Sequence, residues 1–168
     1  MKTLLILRHA KSSWGDSSLP DHDRPLNKRG KRAAMRVGQM LRQKDLVPDL
    51  ILTSTARRAQ KTAESAAEES GYGGVIESCV DFYPGAPEDY IATLRVLPDE
   101  QVEQLLHCIL VVGHTPGLEE LLFTLAGENT ALPTATLAQV DLPIAHWNDL
   151  SEETAGKLIF LWTPPREE

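Results

Sequence analysis

The sequence predicts an α/β fold: three α/β/α layers around a mostly parallel central sheet. Three observations carry that expectation. Short, fully apolar runs recur at Leu4 to Leu7, Leu50 to Leu52 and Ile109 to Val112, as in strands buried on both faces. Stretches with helical spacing lie between them. Polar or turn-forming residues follow each run directly, and in open parallel sheets ligands bind beyond the C-terminal ends of the strands.

The first run ends at Arg8-His9, and Lys11 to Pro25 then form a polar loop long enough to suggest function. Ala33, Ala34, Val37, Met40 and Leu41 keep helical spacing opposite a face of Lys and Arg, with Asn27 as N-cap. Pro48 precedes the second run, which closes with Thr53-Ser54-Thr55. A second helix starts near Ala56 and turns Ala59, Ala63, Ala66 and Ala67 inward. It stops at Ser70 to Gly74, where glycines permit left-handed geometry. Residues 75–80 read as a strand, Tyr83 to Pro87 as a loop, and 88–96 and 99–106 as two short helices. Ile109 to Val112 is the next buried strand; it runs into Gly113-His114-Thr115-Pro116-Gly117 and a helix from Leu118 to Leu125. Residues 136–142 and 158–162 read as strands around a polar loop. With no repeat and no interdomain linker, the 168 residues suit one domain over 1–168.

An apolar fraction of 42% and a charged fraction of 24% are those of a soluble globule. No apolar stretch approaches the ~20 residues that span a bilayer, so no membrane partner is expected. Leu4 to Leu7, stopped by Arg8, is too short for a signal-peptide core, and a cytoplasmic location follows as the default. Cys79 and Cys108 read as small core residues without a disulfide. The net charge of −7 is unevenly spread: residues 1–61 carry +9 and residues 62–168 carry −16. A basic N-terminal third attracts anions to a site built there. The plainer reading is one exposed helix face holding Lys28, Arg29, Lys31, Arg32 and Arg36. The acidic remainder and only nine aromatic residues argue against a nucleic-acid partner.

The strand-end rule gathers Arg8-His9, Ser54 with Arg57 and Arg58, and His114. A lone histidine is more often structural or solvated than catalytic; here the company changes the reading. Two imidazoles and two guanidiniums at one sheet edge make a receptor for a tetrahedral dianion. A neutral imidazole is also a competent nucleophile towards phosphorus and needs no metal. The histidines stand at no metal-ligand spacing, so no metal or other cofactor is expected.

The segment Leu4-Leu5-Ile6-Leu7-Arg8-His9-Ala10 resembles the signature of the histidine phosphatase superfamily, which includes phosphoglycerate mutases and acid phosphatases. The nearer resemblance is to its small SixA-type branch of phosphohistidine phosphatases. Four further segments fit: residues 8–14, Asp23 to Gly30, Ser54 to Thr62, and Val112 to Gly117. The resemblance covers residues 3–126 and implies a phosphoglycerate mutase-like fold. It implies His9 as nucleophile, Arg8 and Arg58 as phosphate ligands, and His114 as a second imidazole stabilising the transferring group. Arg58 is preferred to Arg57 because it stands four residues after Ser54 and before Ala59; helical neighbours point about 100° apart.

The implied activity is a metal-independent phosphatase acting on a phosphohistidine or small phosphoester through a covalent phosphohistidine on His9. Its partner would be a phosphorylated protein or a small phosphorylated metabolite. Arg24 is a candidate substrate contact, oriented by Asp23, and so are Lys11, Ser12 and Ser13; ion pairing, capping or solvation are the alternatives. A proton donor is sought in Glu88, Asp89 or Asp23, whose plainer reading is solvated surface. Ala10 replaces the glycine usual after the histidine, which adds a methyl and disfavours positive φ. Trp14 either packs over the pocket or covers the sheet edge. His22, His107 and His146 lack matching partners. The competing readings are a phosphoglycerate mutase-like phosphotransferase, for which the short chain leaves little shielding insertion, and a non-catalytic phosphate-binding signalling module.

Overall fold

A strand with apolar side chains on both sides must be covered on both faces, and this requirement organises the molecule. The computed structural model describes residues 1–101 and 103–166. Its strands are β1 (Lys2–Arg8), β2 (Leu50–Ser54), β3 (Ile76–Cys79), β4 (Glu100–Gln101), β5 (Gln104–Leu105), β6 (Cys108–Gly113), β7 (Leu137–Leu142) and β8 (Lys157–Trp162). Its helices are α1 (Lys28–Gln43), α2 (Arg57–Ser70), α3 (Pro87–Arg95) and α4 (Gly117–Ala126). The main sheet has the order β3-β2-β6-β1-β7-β8. β3, β2, β6 and β1 run parallel, while β7 and β8 add an antiparallel edge.

Alternation along each strand assigns the layers. Leu5, Leu7, Ile51, Leu110 and Val112 face the inner surfaces of α1 and α2. Leu4, Ile6, Leu52, Ile109 and Val111 face α3 and α4. On α2 the expected stripe of Ala59, Ala63, Ala66 and Ala67 is buried, and Gly71 ends the helix at φ 82°. On α1 the side chain of Asn27 accepts from the Gly30 amide at 2.8 Å, as its N-cap role requires. Cys79 is half-buried and Cys108 buried, both free.

One expectation fails. Residues 99–106 form no helix: Glu100–Gln101 pairs antiparallel with Gln104–Leu105, and Glu103 turns at φ 60°; Val102 lies outside the described residues. Glu100, Gln104 and Leu105 are exposed, so a helix there has no apolar stripe to bury. Among the described residues no helix is long and apolar enough to cross a membrane.

The loop after β1 is held by a short antiparallel contact. The Asn27 amide donates to the Lys11 carbonyl at 3.0 Å and the Ser13 amide to the Pro25 carbonyl at 2.8 Å. Gly30, in the first turn of α1, lies so close that any Cβ there collides with the Lys11 carbonyl. Glycine thereby lets α1 abut the segment that follows His9. Gly30→Ala should therefore lower stability by about 1–3 kcal/mol, the usual range for forced overpacking. Denaturant unfolding measures this, and a variant as stable as wild type would contradict the close approach.

Candidate active site

β1, β2 and β6 are neighbours running the same way, so the residues at their C-terminal ends meet at one edge of the sheet. Arg8, His9, Arg58 and His114 line one cleft of about 720 Å³, together with Lys11, Ser12, Asp21, Arg24 and Tyr83. The close approach of Gly117 to the Gly85 carbonyl leaves no room for a Cβ and brings the Tyr83 loop against the start of α4.

His9 is buried and its backbone is fixed on several sides. Its amide donates to the Gly113 carbonyl at 3.1 Å, and the Ala135 amide donates to the carbonyls of both Arg8 and His9. Ala10 N–H donates to Thr62 Oγ1 at 3.0 Å. Ala10 keeps a negative φ, and its methyl is buried with Leu7 and Ala59, so the replaced glycine strains nothing. The ring nitrogen Nδ1 lies 2.7 Å from the Ala10 carbonyl. A carbonyl can only accept, so Nδ1 carries the proton and Nε2 presents its lone pair. Arg58 Nε–H points at that lone pair from 3.4 Å.

Arg58 is itself splinted. One terminal nitrogen donates to the Asp21 carbonyl at 2.7 Å and the other to Asp21 Oδ2 at 2.9 Å. Arg24, also buried, donates to Asp21 Oδ1 at 2.9 Å, to the Ser13 carbonyl at 3.1 Å and to Ser12 Oγ; its guanidinium stacks on the exposed Trp14 ring. Tyr83 donates its hydroxyl to Asp21 Oδ2 at 2.6 Å. The Tyr83 hydroxyl, with Arg24 and Arg58, holds the Asp21 carboxyl far below the usual carboxylate range. Asp21 and Tyr83 line the cleft without having stood out as site candidates in the sequence, and Asp21, not Asp23, orients Arg24. Asp23 is exposed and pairs instead with His22, whose Nε2 reaches Thr55 Oγ1 at 2.9 Å. Arg8 donates to the Leu132 carbonyl at 2.9 Å, and Arg57 points into solvent.

His114 Nε2 lies 2.7 Å from Ser54 Oγ, which already accepts from the Ala56 amide at 3.1 Å. Nε2 is the one acceptor that the buried Ser54 hydroxyl meets among the described residues, so the hydroxyl donates to it, which leaves the proton on Nδ1 of His114. The two rings stand 5.1 Å apart between centroids. Burial foremost, then neighbouring arginines, lowers His9 to about 4, against the Ala10 hydrogen bond. Burial, followed by His9 and Arg58, lowers His114 to about 3. Both rings are therefore neutral at neutral pH.

Glu88 is a correction: it is exposed and lines a separate groove with Arg95 and Ser151. Pro87 opens α3, the helix buries Tyr90, Ile91 and Leu94, and that register turns Glu88 outward. Asp89 accepts from the Ala86 amide at 2.8 Å as a helix-start contact. The carboxylates that do line the cleft are Asp21 and Glu120. No group of three or more His, Cys, Asp or Glu among the described residues is gathered as a metal cage.

Two measurements check this geometry. Nitrogen-15 spectra should show both rings neutral, with the proton on Nδ1, down to about pH 5. Because both folded values are lowered from 6.5, the unfolded chain takes up protons first, and stability should drain away as pH falls from about 6.5 towards 4. A cationic His9 at pH 6 would contradict the assignment. Asp21→Asn strips the counter-charge from two buried guanidiniums and should cost roughly 1–3 kcal/mol in denaturant unfolding; an unchanged midpoint would show that Asp21 splints neither arginine.

Comparison with known proteins agrees with this architecture. Residues 4–79 match the family model of the histidine phosphatase superfamily, branch 1. An uncharacterised chloroplastic protein of Arabidopsis thaliana is 35% identical over 145 residues, covering 82% of this chain; the chain spans 65% of that protein's length. An uncharacterised protein of Mycobacterium tuberculosis (strain ATCC 25618 / H37Rv) is 32% identical over 165 residues, 92% of this chain and 98% of that protein. A crystal structure from Agrobacterium tumefaciens, provisionally assigned as the phosphohistidine phosphatase SixA, superposes with a TM-score of 0.79. It is 26% identical, over 97% of this chain and 98% of that one.

Proposed function

The chain belongs to the histidine phosphatase superfamily, and on that premise we propose that it is a metal-independent phosphatase that transfers a phosphoryl group to Nε2 of His9 and then to water. One observation carries the reading. A buried, neutral imidazole presents its lone pair inside a cleft lined by three arginines, with its other nitrogen tied to the Ala10 carbonyl. A nucleophile must be unprotonated where a dianion must be bound, and the cleft meets both demands.

In the proposed reaction the long 3.4 Å contact from Arg58 Nε–H gives way as the phosphoryl group enters, Arg8, Arg24 and Arg58 neutralise its oxygens, and the freed Nε2 lone pair attacks in line. Nδ1–H of His114 donates to an oxygen of the transferring group. Most of the acceleration comes from positioning and fixed charge, because phosphoryl transition states spread charge over three oxygens. The substrate read from the cleft is an N-phosphoryl group, a phosphohistidine foremost. Of the two carboxylates in the cleft, Asp21 is held ionised among the arginines and Glu120 lies exposed at the solvent mouth, whereas a nitrogen leaving group brings its own proton and needs neither. The name given to the Agrobacterium tumefaciens structure points the same way. A mutase needs its intermediate shielded from water, and this cleft opens to solvent at Trp14 and Glu120.

Rapid quench with a labelled phosphoryl donor should place an acid-labile label on His9 within one turnover. His9→Ala should fold normally and lose turnover by at least about a thousandfold, as removal of a covalent nucleophile does in other enzymes. Active enzyme carrying no label on His9 would refute the covalent route.

A further inference from the structure

Arg24 and Arg58 are both splinted by the Asp21 carboxylate, but Arg8 is held in another way. Among the described residues its side chain makes one hydrogen bond, from a terminal nitrogen to the Leu132 carbonyl at 2.9 Å, while its Nε is buried without a partner. The aim of this guanidinium therefore depends on where the Leu132 carbonyl stands. Leu132 belongs to the segment 128–136 between α4 and β7, which contains neither helix nor strand. Side chains and single amides must fix it instead. The Leu132 side chain is buried in the core layer beneath α3 and α4. The Leu132 amide donates to Glu119 Oε2 at 2.7 Å. Further along, the Ala135 amide donates to the Arg8 and His9 carbonyls.

The register of α4 explains how Glu119 comes to this place. Leu118, Leu121, Leu122 and Leu125 form the buried face of the helix, which leaves Glu119 half-buried on its flank and Glu120 in solvent. Pro133 favours extended backbone at the residue before it, and in an extended residue N–H and C=O leave the chain on the same side. Glu119 and Arg8 thus meet the same edge of Leu132. Their charges feel each other: burial lowers the pKa of Arg8, and Glu119 opposes that shift.

We infer that Glu119 is a positioning residue of the phosphate site: through the main chain of Leu132 it fixes the carbonyl that aims Arg8. The inference rests on the reading of the cleft as a phosphate site and adds a residue to it. Relay through the main chain has a physical advantage. A carboxylate in direct contact with Arg8 would cancel part of its charge, as Asp21 does for its two arginines. A neutral carbonyl orients the guanidinium and leaves its charge to the phosphoryl oxygens.

Inorganic phosphate is the probe, and two variants separate the possibilities. Glu119→Met keeps an apolar stem and removes the acceptor; Glu119→Gln keeps an acceptor for the Leu132 amide. Both residues are good helix formers and the buried face of α4 is untouched, so both variants should fold. Glu119→Met should weaken phosphate binding by about fivefold, the worth of one hydrogen bond, and Glu119→Gln should stay within about twofold of wild type. Nitrogen-15 spectra of the Arg8 side chain read the cause directly. Rotation of the guanidinium should be restricted in wild type and Glu119→Gln, and free in Glu119→Met. Unchanged phosphate affinity in Glu119→Met, or an Arg8 still held there, would overturn the inference. So would a Glu119→Gln variant as weak as Glu119→Met, because the carboxylate would then act by charge alone. If Glu119→Met fails to fold, the other two proteins decide: Arg8 held in both upholds the inference, and Arg8 free in either overturns it. If phosphate binds but no substrate turns over and His9 takes no label, the phosphatase reading fails, while phosphate affinity and the arginine spectra still decide the role of Glu119.

Discussion

An imidazole surrounded by guanidiniums must stay neutral without losing its fixed orientation, and the hydrogen bond from Nδ1 of His9 to the Ala10 carbonyl does both. Burial and the arginine field oppose a second proton. The acceptor is main chain, so the tautomer depends on how firmly residues 8–10 are held. That backbone is clamped from the β6 end by the Gly113 carbonyl, from α2 by Thr62, and from the segment before β7 by the Ala135 amide. Ala135 adopts φ 61°, a left-handed conformation unusual for alanine, and its amide bonds to both Arg8 and His9 carbonyls. Backbone strain of this kind concentrates where surrounding structure over-determines a functional position. The antiparallel edge of the sheet therefore serves the site through its approach segment, although it contributes none of the cleft's charged side chains.

A carboxylate inside an anion site looks like a conflict. Asp21 cancels part of the positive field that a phosphoryl group would feel, yet it takes one donor from each terminal nitrogen of Arg58. A guanidinium carries five N–H donors in a rigid plane. With the terminal nitrogens occupied, Nε–H is aimed at His9 Nε2, and donors remain for the oxygens of a group placed there. Arg24 is fixed by the same carboxylate and by the loop carbonyl of Ser13. Charge is given up for orientation, which is a sound exchange when three arginines supply the charge.

The strands and the principal site residues were legible for one reason: parallel strands buried on both faces advertise themselves as apolar runs, and the residues just past them share an edge. Arg8, His9 and His114 follow directly from that rule, and Arg58 from the first turn of α2. Asp21 and Tyr83 were not legible, since they sit in loops without periodicity and meet the arginines only through the fold. The carbonyls of Leu132 and Ala10 leave no trace in side-chain type at all. Glu88 was misplaced because a helix register is set by its buried face, here Tyr90, Ile91 and Leu94, and an acid at the second position follows that register outward. The segment 99–106 was misread because a few scattered apolar residues satisfy a short helical template without forming a stripe.

Proton accounting links the tautomer of His9 to the choice of leaving group. In the proposed route, attack by Nε2 while Nδ1 keeps its proton would give a phosphorylated ring that is cationic, and the Ala10 carbonyl is already in place to accept from it. When water displaces that ring, the imidazole departs neutral, with the proton still on Nδ1. No proton has to enter or leave His9 in either step. A substrate phosphohistidine whose second nitrogen is protonated departs in the same way, so the first step exchanges one imidazole for another at phosphorus with little change in bonding energy. An alkoxide leaving group would break that symmetry, because it needs a proton, and the carboxylate set among the cleft's arginines, Asp21, is pinned in its ionised form by two arginines and a phenol.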